Sequence, residues 1–258
     1  MRGGDGRTVT SKVLALLGAF EGGANALSLS DLAERADLPL PTAHRLVGEL
    51  TEWGALERDA QGRYSVGLRM WEVAQNAGRH LRDTARPYLQ DLFSLTRETA
   101  HIAIRDGQEA LYIDRVYGST RVPRASRVGG RLPLHATAVG KVLLAYEEDW
   151  VRDAYLAHRL EAATKHTHVS PGRLAAELRK VRDEGYATTQ EEVREGACSI
   201  AVPVRLQPHP AAIGLVMLAT QSPTMTRHLP TLRGIAARIE AADARPQPSL
   251  VRLPKRKS

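Results

Sequence analysis

The sequence predicts an α+β protein of two domains: a small helical one carrying a β-hairpin, then a larger mixed one. Three observations carry this. Ser28 to Val66 reads as helix, tight turn, helix and charged hairpin. Beyond residue 87, short β-like runs and amphipathic helices follow in mixed order, the pattern of an antiparallel sheet with helices packed on it. And 258 residues, 43% apolar and 25% charged, are enough for two ordinary globular cores.

The elements follow in order. Residues 1–7 have no apolar core behind them and read as a disordered lead rather than a secretory signal. Val9, Val13, Leu16, Leu17 and Phe20 recur at helical spacing, and Gly22, Gly23 and Asn25 close that first helix. Ser30 is the expected N-cap of a short second helix, Asp31–Ala36. Asp37-Leu38-Pro39-Leu40 is the break. Pro41 then stands at the first position of the next helix, where a missing N–H is harmless. Ala43, Leu46, Val47, Leu50 and Trp53 form its apolar face. Leu56–Arg58 and Arg63–Val66 alternate around Asp59-Ala60-Gln61-Gly62, a hairpin with Gly62 where a positive φ is expected. Residues 8–67 thus have the layout of a winged helix-turn-helix, a device for entering the DNA major groove.

Residues 68–86 read as a linker helix, with Leu68, Trp71, Ala74, Gly78 and Leu81 along one side, facing either a core or a second copy. The second domain, residues 87–244, begins near Arg86-Pro87. Its expected strands are His101–Arg105, Ala110–Val116, Tyr186–Gln190, Ser199–Leu206 and Ile213–Thr220. Its expected helices are Ala138–Tyr146, Glu148–Ala157, Pro171–Arg182 and Thr224–Ala241. Residues 245–258 read as a disordered basic tail.

Net charge is +7, but its position matters more than its size. Residues 1–80 hold nine basic against ten acidic residues, whereas residues 245–258 hold five basic and no acidic ones. DNA binding must therefore rest on where particular arginines point, not on a net field. Opposite the apolar face of the second helix of the pair lie His44, Arg45 and Gly48, with Thr42 at the N-terminal edge. Arg45 can bond guanine bidentately, His44 and Thr42 can reach bases or phosphates, and Gly48 lets the helix approach closely. Glu49 and Glu52 lie deeper and repel phosphate. Arg63 and Tyr64 are the hairpin's candidate phosphate contacts; the competing arrangement is a solvated hairpin with Tyr64 packed inward.

In the second domain, His135-Ala136-Thr137-Ala138-Val139-Gly140-Lys141 is a small-residue entry into a helix. Thr137 is a natural N-cap, and the free N–H groups after it suit a carboxylate, though a plain capped helix reads the same way. Arg115, Arg121, Arg124, Arg127, Arg131 and Lys141 form a cationic run, either an attractor for an anion or a solvated surface with internal pairs. Enzyme signals are poor: there is no phosphate loop, His-Glu-x-x-His or Gly-x-Ser-x-Gly. His166-Thr167-His168 reads as a loop, not a metal site, and Cys198 as a small buried residue facing a pocket. The lone cysteine suits a reducing cytoplasm, and no apolar run approaches the roughly 20 residues of a membrane span.

Three stretches give the chain a family resemblance over about residues 8–242. They are Leu29–Glu34 with Thr42–Leu46, Arg131–Lys141, and Glu191-Glu192 with Gly196–Val204. On these the chain resembles the IclR-type bacterial transcriptional regulators. The resemblance implies a winged helix on operator DNA and a GAF- or profilin-like α/β effector domain. It implies dimers, often paired into tetramers, that respond to small metabolites; no cofactor or metal is expected from the sequence. It places the ligand carboxylate on the amides around Ala138 and Val139, with Thr188, Cys198, Ala219 and Gln221 on the pocket wall. Departures are visible. Leu40 and Pro41 replace a common Lys-Ser pair, Thr188 stands where an acid often lies, and Ala219 and Gln221 replace small hydroxyl residues. The pocket is thus expected to be less polar than in relatives that bind glyoxylate or pyruvate, and the run Cys198–Val204 is similar to members that sense aromatic acids. The expectation is a ligand-responsive regulator, a repressor, sensing a small carboxylate. The rivals are a hydrolase or other enzyme with an appended winged helix, and a chromatin-type DNA binder with no ligand.

Overall fold

The computed structural model describes residues 7–21, 23–74, 79–118, 127–207 and 210–244. The basic tail, the lead apart from Arg7, Gly22, Gly78, Arg121 and Arg124 lie outside these. The chain divides into two compact units, one up to Arg79 and one from His80 onward. Among the described residues no helix is long and apolar enough to cross a membrane.

The first unit is helical. α1 (Val9–Gly18) is capped by Thr8, α2 (Leu29–Arg35) by Ser28, and α3 (Leu40–Trp53) carries Pro41 in its first turn. The cap of α2 differs from the expected Ser30. Ser28 Oγ accepts from Asp31 N at 3.1 Å while Asp31 Oδ2 accepts from Ser28 N at 3.0 Å, a reciprocal box that needs a partner three residues on. Ser30 lies two residues later, and three residues beyond it stands Ala33, which cannot complete the box. Leu16, Leu32, Leu46 and Val47 are fully buried where the three helices meet. Trp53, expected on the apolar face, is instead 45% exposed, with the Arg69 guanidinium 4.4 Å over its ring. β1 (Leu56–Arg58) and β2 (Tyr64–Val66) form the hairpin, with Gly62 at φ 79° as expected. Asp59 Oδ1 accepts from both Gln61 N and Arg63 N and so ties the turn. α4 (Leu68–Ala74) follows.

The second unit opens within α5 (Arg79–Thr96), whose first residue marks the boundary and which runs on through Pro87. A six-stranded antiparallel sheet follows, built from β3 (Thr99–Asp106), β4 (Glu109–Val116), β5 (Arg131–Pro133), β6 (Ala187–Gln190), β7 (Ala197–Val204) and β8 (Ala211–Leu218). Its order is β5-β4-β3-β8-β7-β6. The short strand β5 has no counterpart among the expected elements. α6 (Ala138–Ala145), α7 (Asp149–Leu156) and α8 (Pro171–Glu184) belong to one side of the sheet, and α5 and α9 (Leu229–Asp243) to the other. The α-helix expected from Thr224 begins only at Leu229. Residues Ala219–His228 form 3-10 turns containing Pro223, whose ring and missing N–H oppose an α-helix there.

Two details of the sheet position the site. Every residue of α6 is buried, and the sheet under it is lined with small residues, Ala103, Ala201 and Ala212. The register of β3 and β4 shifts between Ile102 and Ala103, so that His101 faces Arg115 while Ala103 faces Tyr112. This bulge turns Tyr112 and Arg115, three residues apart, to the same face of the sheet.

Candidate functional site

On α3 the outward arc is as the spacing predicts. His44, Arg45 and Gly48 are exposed, and Thr42 is half-buried at the first turn. Arg45 Nη1 bonds Glu49 Oε1 at 2.5 Å, one turn further on. A Cβ on Gly48 would meet nothing within 4 Å, so nothing inside the unit requires glycine there. Leu40 and Pro41 are exposed beside them at the N-terminal turn. In the hairpin, Arg63 is exposed and paired with Asp59 at 3.0 Å. Tyr64 is not on the surface. It is 7% exposed in the core of the unit, its backbone bonds Leu27 in both directions, and Arg58 lies 5.6 Å over its ring. The inward arrangement holds because a strand with one face on a core buries every second side chain.

In the second unit a small cleft, partly open to solvent, lies between the first turn of α6 and the sheet. Thr137, Ala138 and Val139 line one wall; His101, Tyr112, Arg115, Thr189, Ser199 and Val216 line the sheet side, and Glu192 the rim. Thr137 caps α6, its Oγ1 accepting from Gly140 N at 3.0 Å and donating to Pro133 O at 3.2 Å. Gly140 serves the cap rather than the cleft. A Cβ there would sit 2.4 Å from both Leu134 O and Thr137 Oγ1. The N–H groups of Ala138 and Val139 have no acceptor within the helix and sit at its positive end.

Of the expected wall residues, Cys198 borders this cleft on β7, although its side chain belongs with Ile200 and Val202 to the cluster on the other face of the sheet, and Thr188, Ala219 and Gln221 do not border it. Thr188 lies on a neighbouring groove with Lys141, His168 and Glu177. Gln221 is held at the start of the 3-10 turns, its Nε2 donating to Glu98 at 2.7 Å and its Oε1 accepting from Leu218 N at 3.1 Å. The reason is register. Thr189 and Ser199 are cross-strand partners facing α6, while Thr188 pairs with Ile200 on the opposite face. A one-residue slip in a strand exchanges the faces. Thr189, Ser199, His101 and Tyr112 were thus missed, although alternation along β6 and β7 held the signal for the first two. The Cys198 Sγ donates to Leu218 O at 3.2 Å, and burial pushes its thiol up to about 11. It stays protonated at neutral pH and is no nucleophile.

Lys141 is not an exposed attractor of anions. It is 2% exposed, and its Nζ lies 2.8–2.9 Å from both oxygens of Glu192 and 2.8 Å from Glu177 Oε2. His168 Nδ1 joins at 2.5 Å from Glu177 Oε1. Burial pushes the Glu192 carboxyl up, against the pull of Lys141. For Glu177 burial acts the same way, but Lys141 and His168 outweigh it and its carboxyl sits below the ordinary range. Arg131 pairs with Asp106 at 2.7 Å, so two of the cationic residues are neutralised internally. Among the described residues, no group of three His, Cys, Asp or Glu side chains is placed to hold a metal ion.

Both units have counterparts among known proteins. A family model described as the IclR helix-turn-helix domain matches residues 9–60, and one described as the bacterial transcriptional regulator IclR C-terminal domain matches residues 74–240. The chain belongs to the IclR family. Within it, the HTH-type transcriptional regulator XynR of Escherichia coli (strain K12) is 33% identical over 202 residues, spanning 75% of this chain and 78% of that protein. The HTH-type transcriptional repressor AllR of the same strain is 32% identical over 200 residues, spanning 76% and 74%. The crystal structure of an IclR homolog from Microbacterium hydrocarbonoxydans, complexed with 4-hydroxybenzoate, matches with a TM-score of 0.86 at 31% identity, covering 91% of this chain and 98% of the other. The IclR family consists of DNA-binding transcriptional regulators and not enzymes, which removes the rival hydrolase.

Proposed function

We propose that this IclR-family regulator represses transcription from operator DNA, bound as a dimer or tetramer, and responds to a small carboxylate of aromatic or branched type. The observation that carries the effector reading is the cleft at α6. Two amides at a helix N-terminus, without acceptors inside the helix, attract a carboxylate. The sheet opposite offers Tyr112, Val216 and hydroxyl groups beside the Arg115 cation, which suits a body that is mostly apolar. The 4-hydroxybenzoate held by the Microbacterium homolog supports a ring acid, and the repressor named among the relatives supports the sign. Exposed Leu68, Trp71 and Val73 on α4 support pairing with a second copy. Thr42, His44, Arg45 and Gly48 read the operator, with Arg63 on phosphate. A thermal-shift panel tests the effector. Benzoate-class and branched acids are expected to raise the midpoint by mass action, and glyoxylate and pyruvate to leave it unmoved. The opposite ranking, or a flat panel, counts against the reading.

A further inference from the structure

We infer that His101 reads an uncharged hydroxyl on the body of the bound acid and so selects hydroxylated over plain aromatic carboxylates. This deepens the effector reading above and rests on it. His101 stands on the sheet floor of the cleft, 2% exposed, and its Nδ1 has no hydrogen-bond partner. A buried polar atom left unpaired is costly, and native structures seldom keep one without use.

The hydroxyl and carboxylate groups around the cleft are already engaged, while Arg115 Nε, like His101 Nδ1, is a buried nitrogen with no hydrogen-bond acceptor. Thr189 Oγ1 and Ser199 Oγ bond each other at 2.5 Å, Thr137 caps α6, and Glu192 holds Lys141. The Arg115 guanidinium, cross-strand from His101, lies 5.0 Å over the Tyr117 ring. His101 is kept in place with care. Its ring centroid is 5.1 Å from that of Tyr112, and a Cβ on Gly214 would come within 3.0 Å of its Nε2. Strand β8 is thus left bare beside the imidazole. Tyr112 in turn meets Thr137, so a single side chain separates His101 from the residue that caps α6. A molecule with its carboxylate on the Ala138 and Val139 amides has its body over this floor.

The chemistry of the imidazole names the second group. Burial first, then the Arg115 charge, drives its pKa down to about 3, so the ring is neutral under physiological conditions. A neutral imidazole presents a donor on one nitrogen and an acceptor on the other. A hydroxyl is the smallest group that satisfies whichever tautomer Nδ1 presents. A second carboxylate only accepts, and a methyl or bare ring edge does neither.

Calorimetry on the full chain with benzoate, 3-hydroxybenzoate and 4-hydroxybenzoate tests the inference. The wild type is expected to bind one of the hydroxy acids about tenfold more tightly than benzoate, the scale of one neutral hydrogen bond. His101→Phe should abolish that preference while still binding benzoate. Side-chain nitrogen NMR of the wild type gives a second readout independent of the variant's folding: the His101 Nδ1 resonance shifts with the preferred hydroxy acid and not with benzoate. Equal wild-type affinities, an unmoved resonance, or a preference that survives in His101→Phe overturns the role of His101 while leaving the carboxylate reading intact. If none of the three acids binds the wild type, the ring-acid reading itself is wrong and the inference falls with it.

Discussion

Arg45 is proposed to exchange one partner for another. In the free protein its guanidinium is occupied by Glu49 across one helical turn. Such an exposed pair contributes little to stability, so releasing it to a guanine is cheap. Arg45→Ala is expected to leave the fold intact and to lose roughly 5- to 150-fold in operator affinity, the equivalent of about 1–3 kcal/mol for one bidentate base contact. A gel-shift titration at fixed salt checks this, and wild-type affinity would remove Arg45 from the interface. His101 gives a different residue-scale test. Above its ordinary pKa of about 6.5 it is neutral folded and unfolded, and nothing is lost. Below that, the unfolded chain takes up a proton that the folded chain refuses down to about pH 3. Stability should therefore fall as pH drops, by about 1.4 kcal/mol per unit for one such group. His135 and His228, also lowered first by burial, act in the same direction. Urea unfolding between pH 7.5 and 5 should show this slope, and His101→Phe should flatten it by one proton's worth. An unchanged slope would mean that His101 protonates in place.

At the scale of elements, the proposed effector chemistry lies in the first turn of α6. Val139→Pro removes one of the two free amides at a helix position where proline is tolerated. It is expected to abolish effector binding by calorimetry while operator binding persists, and an unchanged effector affinity would move the carboxylate elsewhere. This helix start was legible in the sequence because its device is local: Thr137 caps Gly140 three residues on. The recognition helix was legible for the same reason, since Ala43, Leu46, Val47 and Leu50 share a face by spacing alone. The pocket floor was not. Thr188 and Thr189 are equivalent in composition, and only the pairing of Thr189 with Ser199 says which faces α6. His101, Tyr112 and Arg115 depend on a bulge between β3 and β4 that breaks the alternation used to read strands. The cap of α2 shows a local signal misassigned. Ser28 and Asp31 form the box, and Ser30, adjacent to the apolar run, drew the assignment two residues inward.

At the scale of the whole molecule, charge and architecture divide the work. The proposed DNA-reading residues lie in a unit with no basic excess, so in the proposed function specificity rests on α3 and not on general attraction. The family model for each unit matches separately, and the α+β class read from the mixed order of strands and helices holds for the second. The central claim is that one chain joins sequence-specific DNA binding to sensing of a small carboxylate. Footprinting the purified full-length protein on the DNA upstream of its own gene, with and without a benzoate-class acid, tests it most directly. The account predicts a protected site built of half-sites spaced about one helical turn or a multiple apart, lost in Arg45→Ala and weakened or rearranged by the acid in the wild type but not in Val139→Pro. Protection without sequence preference, or a footprint indifferent to every carboxylate that binds the protein, would contradict it.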